Sequence, residues 1–290
     1  MSGHKKHYAA IAGLVIGGLT GLSSGAIIYQ DNFDGTAGTV AARTPDTETG
    51  LFGGSASAPW TSDSTTSANP DAIWQASGGT YSGTGTTDAS ISLFGTGADS
   101  NLITNAYLPF TPQAGNVYDL HLAIASSGTG ASGNWLGLAF AQAGLSGHTS
   151  GGGSSALSND ATYGLIIDKG SGVVQSFAGL GTANGKISTS AGFLSQGTSS
   201  PTYHTFDILL DTTNTSWTVS WLVDGVQPAG GSPFTYTTNP TIGNVIFGTN
   251  KLTGVVSDFS LTTVPEPASL GLFALGALGI LRRKTCSQRV

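Results

Sequence analysis

Cysteine and positive charge are nearly absent from this chain of 290 residues, and each absence excludes a class of function. The single cysteine, Cys286, lies among the last few residues, so neither disulfide bonds nor thiolate chemistry can operate in the rest of the chain. Between residues 27 and 264, four lysines and arginines stand against 15 acids, which leaves a net charge of −11. Such a surface has no basic footprint for nucleic acid, and anionic lipid headgroups repel it. We therefore expect no nucleic-acid partner, and we assign any membrane contact to the C-terminal tail.

Hydrophobic periodicity of the helical kind is also absent between residues 27 and 264, whereas short runs of alternating apolar and polar residues recur. The segments 117–125, 203–211 and 217–223 alternate in this way. Small and polar residues separate these runs, and Asp224-Gly225 supplies the positive-φ pair that a tight hairpin requires. The pattern predicts an all-β fold, an antiparallel β-sandwich or jelly roll, formed by one domain at residues 27–263.

The N-terminus has the layout of an export signal. Lys5 and Lys6 precede an apolar run at 11–22, and small residues occupy positions 24–26. This order of a positive segment, a short apolar segment and small residues is typical of a secretory signal peptide. It predicts a signal helix within residues 1–26 that signal peptidase removes after Ala26. A permanent N-terminal anchor is the alternative, which the short apolar run and the small residues disfavour.

The C-terminus has three parts: a proline-containing strip at 264–267, an apolar run at 268–281 and a group of cations. Proline fixes φ and disfavours helical geometry in the residue before it, so the strip should be extended. The 14 residues of the apolar run predict a transmembrane helix about 21 Å long, shorter than the ~30 Å hydrocarbon core. Because the cations stay on the cytoplasmic side, the domain would lie on the opposite side of the membrane.

Residues 264–290 resemble the PEP-CTERM sorting signal of exopolysaccharide-producing Gram-negative bacteria. The resemblance is carried by the apolar run and by Pro265, Glu266, Pro267, Arg282 and Arg283. In that family an exosortase, an integral membrane cysteine transpeptidase-like enzyme, is thought to recognise the motif and cleave there. The resemblance implies export, a transient inner-membrane anchor with a cytoplasmic C-terminus, and a final place at the cell surface or in the extracellular matrix. An ordinary C-terminal membrane anchor is the alternative.

The predicted domain resembles the concanavalin A-like lectin/glucanase sandwich. This resemblance is carried by the opening segment 27–35, the segments 206–211 and 217–221, the turn Asp224-Gly225, and a last segment with Val256, Asp258 and Phe259. It implies that the last strand returns beside the first. The segment 37–81 is the least regular, and we interpret it as long loops with one or two strands.

Glycoside hydrolysis is the enzymatic activity to test, because the glucanases of this fold carry two glutamates that alternate with an aspartate on one strand. Retaining glycosidases need two carboxyl groups about 5 Å apart. The predicted domain has a single glutamate, Glu48, and no Glu-x-Asp-x-x-Glu pattern. We therefore predict a protein that is not an enzyme and has no catalytic residues and no cofactor, apart from the structural calcium considered below.

A candidate glycan-binding patch comprises Asp119, His121, Asn134 and Trp135. The alternation of their segments places Asp119, His121 and Trp135 on the sides that face away from the core. An indole ring can pack against a sugar ring while polar groups bind its hydroxyls. The sequence therefore predicts one glycan-binding surface from these residues.

Acidic residues near both ends of the domain suggest a structural calcium ion. Asp31, Asn32 and Asp34 belong to the opening segment and Asp258 to the last, so they would converge if the first and last strands pair. Calcium takes several oxygen ligands at about 2.3–2.6 Å, and loop carbonyls could complete the set. The alternative is that these side chains are solvated turn residues.

Three functions are compatible with the sequence. The first is a non-enzymatic, exosortase-sorted surface or matrix protein that associates with exopolysaccharide. The second is a lectin-like module with a defined glycan ligand. The third is a polysaccharide-cleaving enzyme, which would release reducing ends or unsaturated sugars.

Overall fold

The computed structural model describes residues 25–33, 43–64, 74–77, 90–93, 103–126, 135–142, 162–169, 172–179, 187–189, 203–228, 232–250 and 254–264. The predicted transmembrane helix at 268–281, residues 265–267 and residues 1–24 of the predicted signal peptide lie outside these residues. Among the residues described, no helix is long and apolar enough to cross a membrane.

The described residues form strands and turns, as the alternating pattern predicts. In chain order the strands are β1 (Ile27–Asp31), β2 (Thr47–Glu48), β3 (Thr61–Ser64), β4 (Trp74–Ser77), β5 (Ser90–Leu93), β6 (Ile103–Pro109), β7 (Val117–Ser126), β8 (Trp135–Gln142), β9 (Thr162–Lys169), β10 (Val174–Gly179), β11 (Ile187–Thr189), β12 (His204–Asp211), β13 (Thr218–Val223), β14 (Phe234–Thr235), β15 (Ile242–Asn250) and β16 (Gly254–Val264).

These strands form two sheets in which every described pair is antiparallel. The nine-stranded sheet has the order β14-β13-β12-β7-β16-β1-β2, and β5 joins it through β16 while β4 pairs with β5. The seven-stranded sheet has the order β11-β10-β9-β8-β15-β6-β3. The first strand pairs with the last, with Tyr29 opposite Leu261 and Asp31 opposite Phe259. The predicted all-β antiparallel fold and the return of the last strand to the first are confirmed.

A hydrophobic core fills the space between the two sheets. On β7 the alternate residues Tyr118, Leu120, Leu122 and Ile124 are buried in it, because successive side chains of a strand point to opposite faces. The other sheet contributes alternate residues of β8 and β15, including Phe140. The sequence alternation therefore identifies which side of each strand faces the core.

One glycine links the two sheets at the centre of this core. Gly164 has a φ of +64°, and a Cβ atom there would lie 2.8 Å from the Val219 side chain. Its carbonyl accepts a hydrogen bond of 2.8 Å from the indole nitrogen of the buried Trp221. Only glycine fits this position, because a larger residue would combine a positive φ with a steric clash.

The irregular segment 37–81 contains the short strands β2, β3 and β4 within its described residues. It also supplies Trp60, which is buried in the core between Phe247 and Phe259, at ring-centroid distances of 5.1 and 4.8 Å. This segment therefore contributes to the core as well as forming loops.

Candidate functional site

The predicted glycan patch is divided between the two outer faces of the sandwich. Asp119 and His121 lie on β7 in the nine-stranded sheet, on the side opposite its core residues. Trp135 lies on β8 in the seven-stranded sheet, again away from the core, and Asn134 lies outside the described residues. Because the sheets pack face to face, their outer faces point in opposite directions. Trp135 therefore does not share a surface with Asp119 and His121, and the prediction of one patch is wrong.

On the outer face of the nine-stranded sheet, His121 and Asp207 are directly opposite each other on neighbouring strands. The Nδ1 atom of His121 lies 2.5 Å from Oδ1 of Asp207. Burial lowers the pKa of His121, but the hydrogen bond and charge of Asp207 and the charges of Asp119 and Asp258 outweigh it. The net effect is a raised pKa, so this histidine holds its proton more strongly than a free imidazole does.

Asp119 lies two residues from His121 on the same face of β7. Burial and the charge of Asp207 raise the pKa of Asp119 to about 6, against the attraction of His121. Its Oδ1 atom is buried and has no hydrogen-bond donor in the structure described. Together, His121, Asp119, Asp207 and Asp258 form an acid–histidine cluster on this face.

Among the residues proposed for calcium, Asp31 has hydrogen-bond donors of its own. The carboxylate of Asp31 is fully buried and accepts hydrogen bonds from Nε and Nη2 of Arg43 at 2.6–2.9 Å. It also accepts one from the indole nitrogen of Trp60 and one from the backbone nitrogen of Phe33, both at 2.8 Å. These donors occupy the carboxylate oxygens of Asp31 in this structure, and its role as a calcium ligand stays a prediction.

The other calcium candidates are described only in part. The charge of Asp258 acts on His121, while Asp34 lies outside the described residues. Asn32 donates its backbone N–H to Asp46 at 2.8 Å. Among the described residues, no group of three or more His, Cys, Asp or Glu side chains could hold a metal ion.

The outer face of the seven-stranded sheet carries a second apolar cluster. Ala139, Ala141, Leu165, Ile167 and Ile246 are buried there, with Tyr107, Trp135 and Phe177 packed against them. Trp135 therefore packs against aliphatic neighbours. The described core-averted positions of β8, β9, β10 and β15 carry neither Asp nor Glu.

A cavity of about 400 Å³ lies beside the start of β9 and the end of β10, where residues 234–241 pass over them. Its aromatic wall consists of Tyr163, Phe234 and Tyr236. Among its other described lining residues are Thr237, Thr238 and Thr241. This cavity was not predicted from the sequence, although the aromatic residues 234 and 236 within a stretch rich in Thr, Pro and Asn were a signal for it.

The wall of this cavity is fixed by hydrogen bonds and ring packing. The Tyr236 hydroxyl donates to the carbonyl of Ala178 at 2.7 Å, and burial raises the pKa of Tyr236 so that the donor proton is retained. The Tyr236 ring lies 5.2 Å from that of Phe234 and 6.2 Å from that of Tyr163, each in an edge-to-face arrangement. Asn239 anchors the same segment by accepting from the backbone nitrogen of Trp217 at 3.0 Å. The cavity is therefore preformed.

The lining of the cavity suits a neutral, amphipathic ligand. None of its described lining residues is charged. No side-chain hydrogen bond joins Thr237, Thr238 or Thr241 to the described part of the chain, so these hydroxyls can bind a ligand. Aromatic faces beside a few convergent polar groups are the usual composition of a small-molecule site. A saccharide has both complementary parts, because its C–H faces pack on aromatic rings and its hydroxyls bind other hydroxyls.

Comparison with solved structures identifies the class of fold. An endo-1,3-beta-glucanase from Streptomyces sioyaensis is 15% identical with a TM-score of 0.51, covering 84% of this chain and 98% of that chain. The carbohydrate recognition domain of Emp46p is 12% identical, with a TM-score of 0.43 and coverages of 81% and 98%. Lectin II from Ulex europaeus is 12% identical, with a TM-score of 0.40 and coverages of 70% and 92%. The fold is a concanavalin A-like lectin/glucanase β-sandwich, as its sequence resemblance implied.

The tail is identified by a family comparison. Residues 263–284 match the PEP-CTERM protein-sorting motif. No curated protein sequence matches the chain. The chain thus carries a PEP-CTERM sorting motif behind a lectin/glucanase-type sandwich. The motif indicates an exported protein that is anchored in the membrane, processed by an exosortase and left at the surface.

Proposed function

We propose that this protein is a non-enzymatic component of the envelope surface or extracellular matrix of a Gram-negative bacterium, where its sandwich binds exopolysaccharide. The observation that carries the binding part of this proposal is the cavity beside Tyr163, Phe234 and Tyr236. The sorting motif supports delivery to the surface, where such polymers are found. A preformed, uncharged site of about 400 Å³ has room for one or two sugar units of a chain.

Binding is favoured over cleavage by the distribution of carboxylates. Hydrolysis by a retaining or inverting mechanism needs two carboxyl groups facing one glycosidic bond. The described lining of the cavity has no Asp or Glu, and the outer face of the seven-stranded sheet has none at its described positions on β8, β9, β10 and β15. A ligand in the cavity is therefore retained unchanged in this proposal, because the acid–histidine cluster lies on the outer face of the other sheet.

The test is affinity electrophoresis of the protein in gels that contain a neutral glucan or, separately, alginate. We expect retardation by the neutral polymer and little by the acidic one, because no described cation lines the cavity and the domain is strongly acidic. Phe234→Ala removes one aromatic wall from the edge strand β14 and should weaken binding about 3- to 10-fold. Phe177→Ala is the matched control, because it removes the same ring from the outer face of the seven-stranded sheet.

Each outcome bears on a defined part of the proposal. Equal retardation of the parent protein and the Phe234→Ala variant would exclude the cavity as the site. Absence of retardation by all polymers would overturn the association with polysaccharide. Release of reducing ends or unsaturated sugars would contradict the non-enzymatic role. A glycan array then separates binding to many neutral polymers from the recognition of one defined glycan by a lectin.

A further inference from the structure

The chain enters and leaves the sandwich at the same end. Thr263, near the end of β16, donates its backbone N–H to the carbonyl of Ala26 at 2.9 Å. The backbone nitrogen of Ala26 donates in return to Oγ1 of Thr263 at 3.0 Å. Ile27 at the start of β1 and Val264 at the end of β16 therefore lie at one end of the sandwich, which we call the terminal end.

The terminal end carries three of the four large apolar side chains that are exposed in the described chain. These are Ile27, Leu51 and Val264, which are 39%, 59% and 38% exposed. Leu51 is held there because Thr49 donates to the carbonyls of Ile27 and Ile28.

The fourth exposed apolar side chain, Val226, lies at the opposite end of the nine-stranded sheet. Val226 follows β13 and bonds to Val223, which pairs with Phe206 near the start of β12. The other end of β12 pairs Asp211 with Val117, and Val117 pairs with Val264. Val226 is therefore a natural control for the three apolar residues of the terminal end.

The terminal end carries few charged residues although the domain is strongly acidic. Its described segments 25–28, 49–57, 111–116, 212–216 and 262–264 contain no Asp, Glu, Lys or Arg. Backbone hydrogen bonds hold these loops together, from Thr111 to Gly53 and from Thr212 to Asn116. The acids that flank these segments are Glu48 and Asp211, whose carboxylates accept hydrogen bonds from Ala58 and Thr213. The net charge of −11 would keep the domain away from anionic lipids, but at this end only these two described acids oppose contact.

We propose that the terminal end rests on the membrane surface while the chain is still anchored, with Ile27, Leu51 and Val264 in the headgroup region. This inference rests on the membrane-anchored stage that the sorting motif indicates. Only residues 265–267 separate the end of β16 from the apolar run, and a fully extended chain covers about 3.3–3.6 Å per residue. The terminal end thus lies within about 10–14 Å of the apolar run. The interfacial layer on each side of the hydrocarbon core is about 5–8 Å thick, so this short connection holds the exposed apolar side chains within reach of lipid.

The contact is weak enough to be lost after processing. Even a myristoyl chain gives only marginal, reversible membrane binding, and three partly exposed aliphatic side chains bury less apolar surface than that. The anchor makes the contact intramolecular and so raises its effective concentration. Cleavage at the sorting motif separates the domain from its anchor, so the effective concentration of the terminal end at the bilayer falls. The terminal end is therefore a surface that touches the bilayer before processing and releases it afterwards.

The test uses residues 27–290, the full chain without the predicted signal peptide, reconstituted in vesicles of phosphatidylethanolamine and phosphatidylglycerol. Cys286→Ser removes the native thiol, and Leu51→Cys or Val226→Cys then carries an environment-sensitive dye. We expect the dye at position 51 to shift to shorter wavelength and to be quenched at least twofold by nitroxide-labelled lipid, with no change at position 226. Ile27→Cys gives an independent probe of the same end. Cutting an engineered protease site placed after Pro267 should return the signals at positions 27 and 51 to their aqueous values.

The result that overturns the proposal is aqueous emission at positions 27 and 51 while the protein floats with the vesicles. Equal quenching at positions 51 and 226 would also overturn it, because it would show contact without preference for the terminal end. Failure of the full chain to float would refute the anchored stage and the inference with it. The proposed polysaccharide binding is measured without lipid and would be unaffected by any of these results.

Discussion

The buried carboxylate of Asp31 depends on Arg43, which contacts it through two nitrogens. Replacing Arg43 with Met removes the cation and leaves a fully buried carboxyl group without its charged partner, while burial already raises the pKa of Asp31. We expect the free energy of unfolding to fall by about 3–5 kcal/mol, the usual cost of breaking a buried ion pair from one side. Urea denaturation monitored by tryptophan fluorescence measures this change.

Two controls separate the ion pair from a metal site at the same carboxylate. Arg43→Lys keeps the charge but cannot reproduce the planar, two-nitrogen contact, so it should lose less stability than Arg43→Met. Adding millimolar calcium should leave the melting temperature of the parent protein unchanged. A clear rise in that temperature would support the calcium hypothesis for Asp31.

The pKa shifts of Asp119 and His121 predict how the free energy of unfolding depends on pH. The pKa of Asp119 rises from 3.8 to about 6 on folding, so the folded state binds a proton more strongly and gains stability as the pH falls from above 6 towards 4. The pKa of His121 is raised above 6.5, so its contribution is fully present below 6.5 and is lost as the pH rises through the folded value. Both groups make the sandwich more stable at pH 5 than at pH 8.

Asp119→Asn tests the part of this dependence that belongs to Asp119. The amide carries no charge, so it avoids the cost of an ionised carboxylate beside Asp207 at high pH. After allowance for solvent screening, we expect a gain of about 1 kcal/mol at pH 8 and a flatter profile between pH 4 and 6. Urea denaturation midpoints measured from pH 4 to pH 8 test this prediction. If the midpoint changed with pH by the same slope in the variant and the parent, the prediction would be contradicted.

At the scale of strands, alternation gives the side of a strand that faces the core, but it does not give the sheet to which the strand belongs. The core residues of β7 could be predicted for that reason, because Leu120 and its neighbours follow a period of two. The same rule correctly put Asp119 and Trp135 on core-averted sides. Nothing local shows that β7 and β8 belong to different sheets, so the predicted patch joined residues from two opposite surfaces.

The cavity and the ion pair depend on contacts between residues far apart in the sequence. Tyr236 reaches Ala178 across 58 positions, and Trp60 reaches Asp31 across 29. Such contacts form only after the sheets have paired, so no local pattern encodes them. The Asp-Gly turn at 224–225 is the opposite case, because both residues have positive φ and the dipeptide itself favours that geometry. Local chemistry thus predicts the turns and core faces of this protein, whereas pairing determines its candidate sites.

At the scale of the whole molecule, the sandwich and the tail have separate roles in this proposal. The sandwich binds polysaccharide, and the tail directs the protein to the surface. The described strands end at Val264, directly before Pro265, so cleavage at Pro265–Pro267 would leave the folded domain complete. Removal of a signal peptide after Ala26 would remove the residue that bonds to Thr263. Both processing events would then act at the terminal end, and the mature protein would consist of the sandwich alone.

Mass spectrometry of the protein recovered from the cell surface tests whether both terminal segments are removed. We expect a mature chain that begins at Ile27 and ends within or next to Pro265–Pro267, without the cations at 282–284. Replacing both Pro265 and Pro267 with Ala should block processing and hold the protein in the membrane fraction with its tail intact. Glu48→Gln is a control outside the tail and should be processed normally. A surface protein that retains residues 282–290 would instead show that the tail is an ordinary anchor, because an uncut chain keeps the apolar run and the cations that hold it in the bilayer.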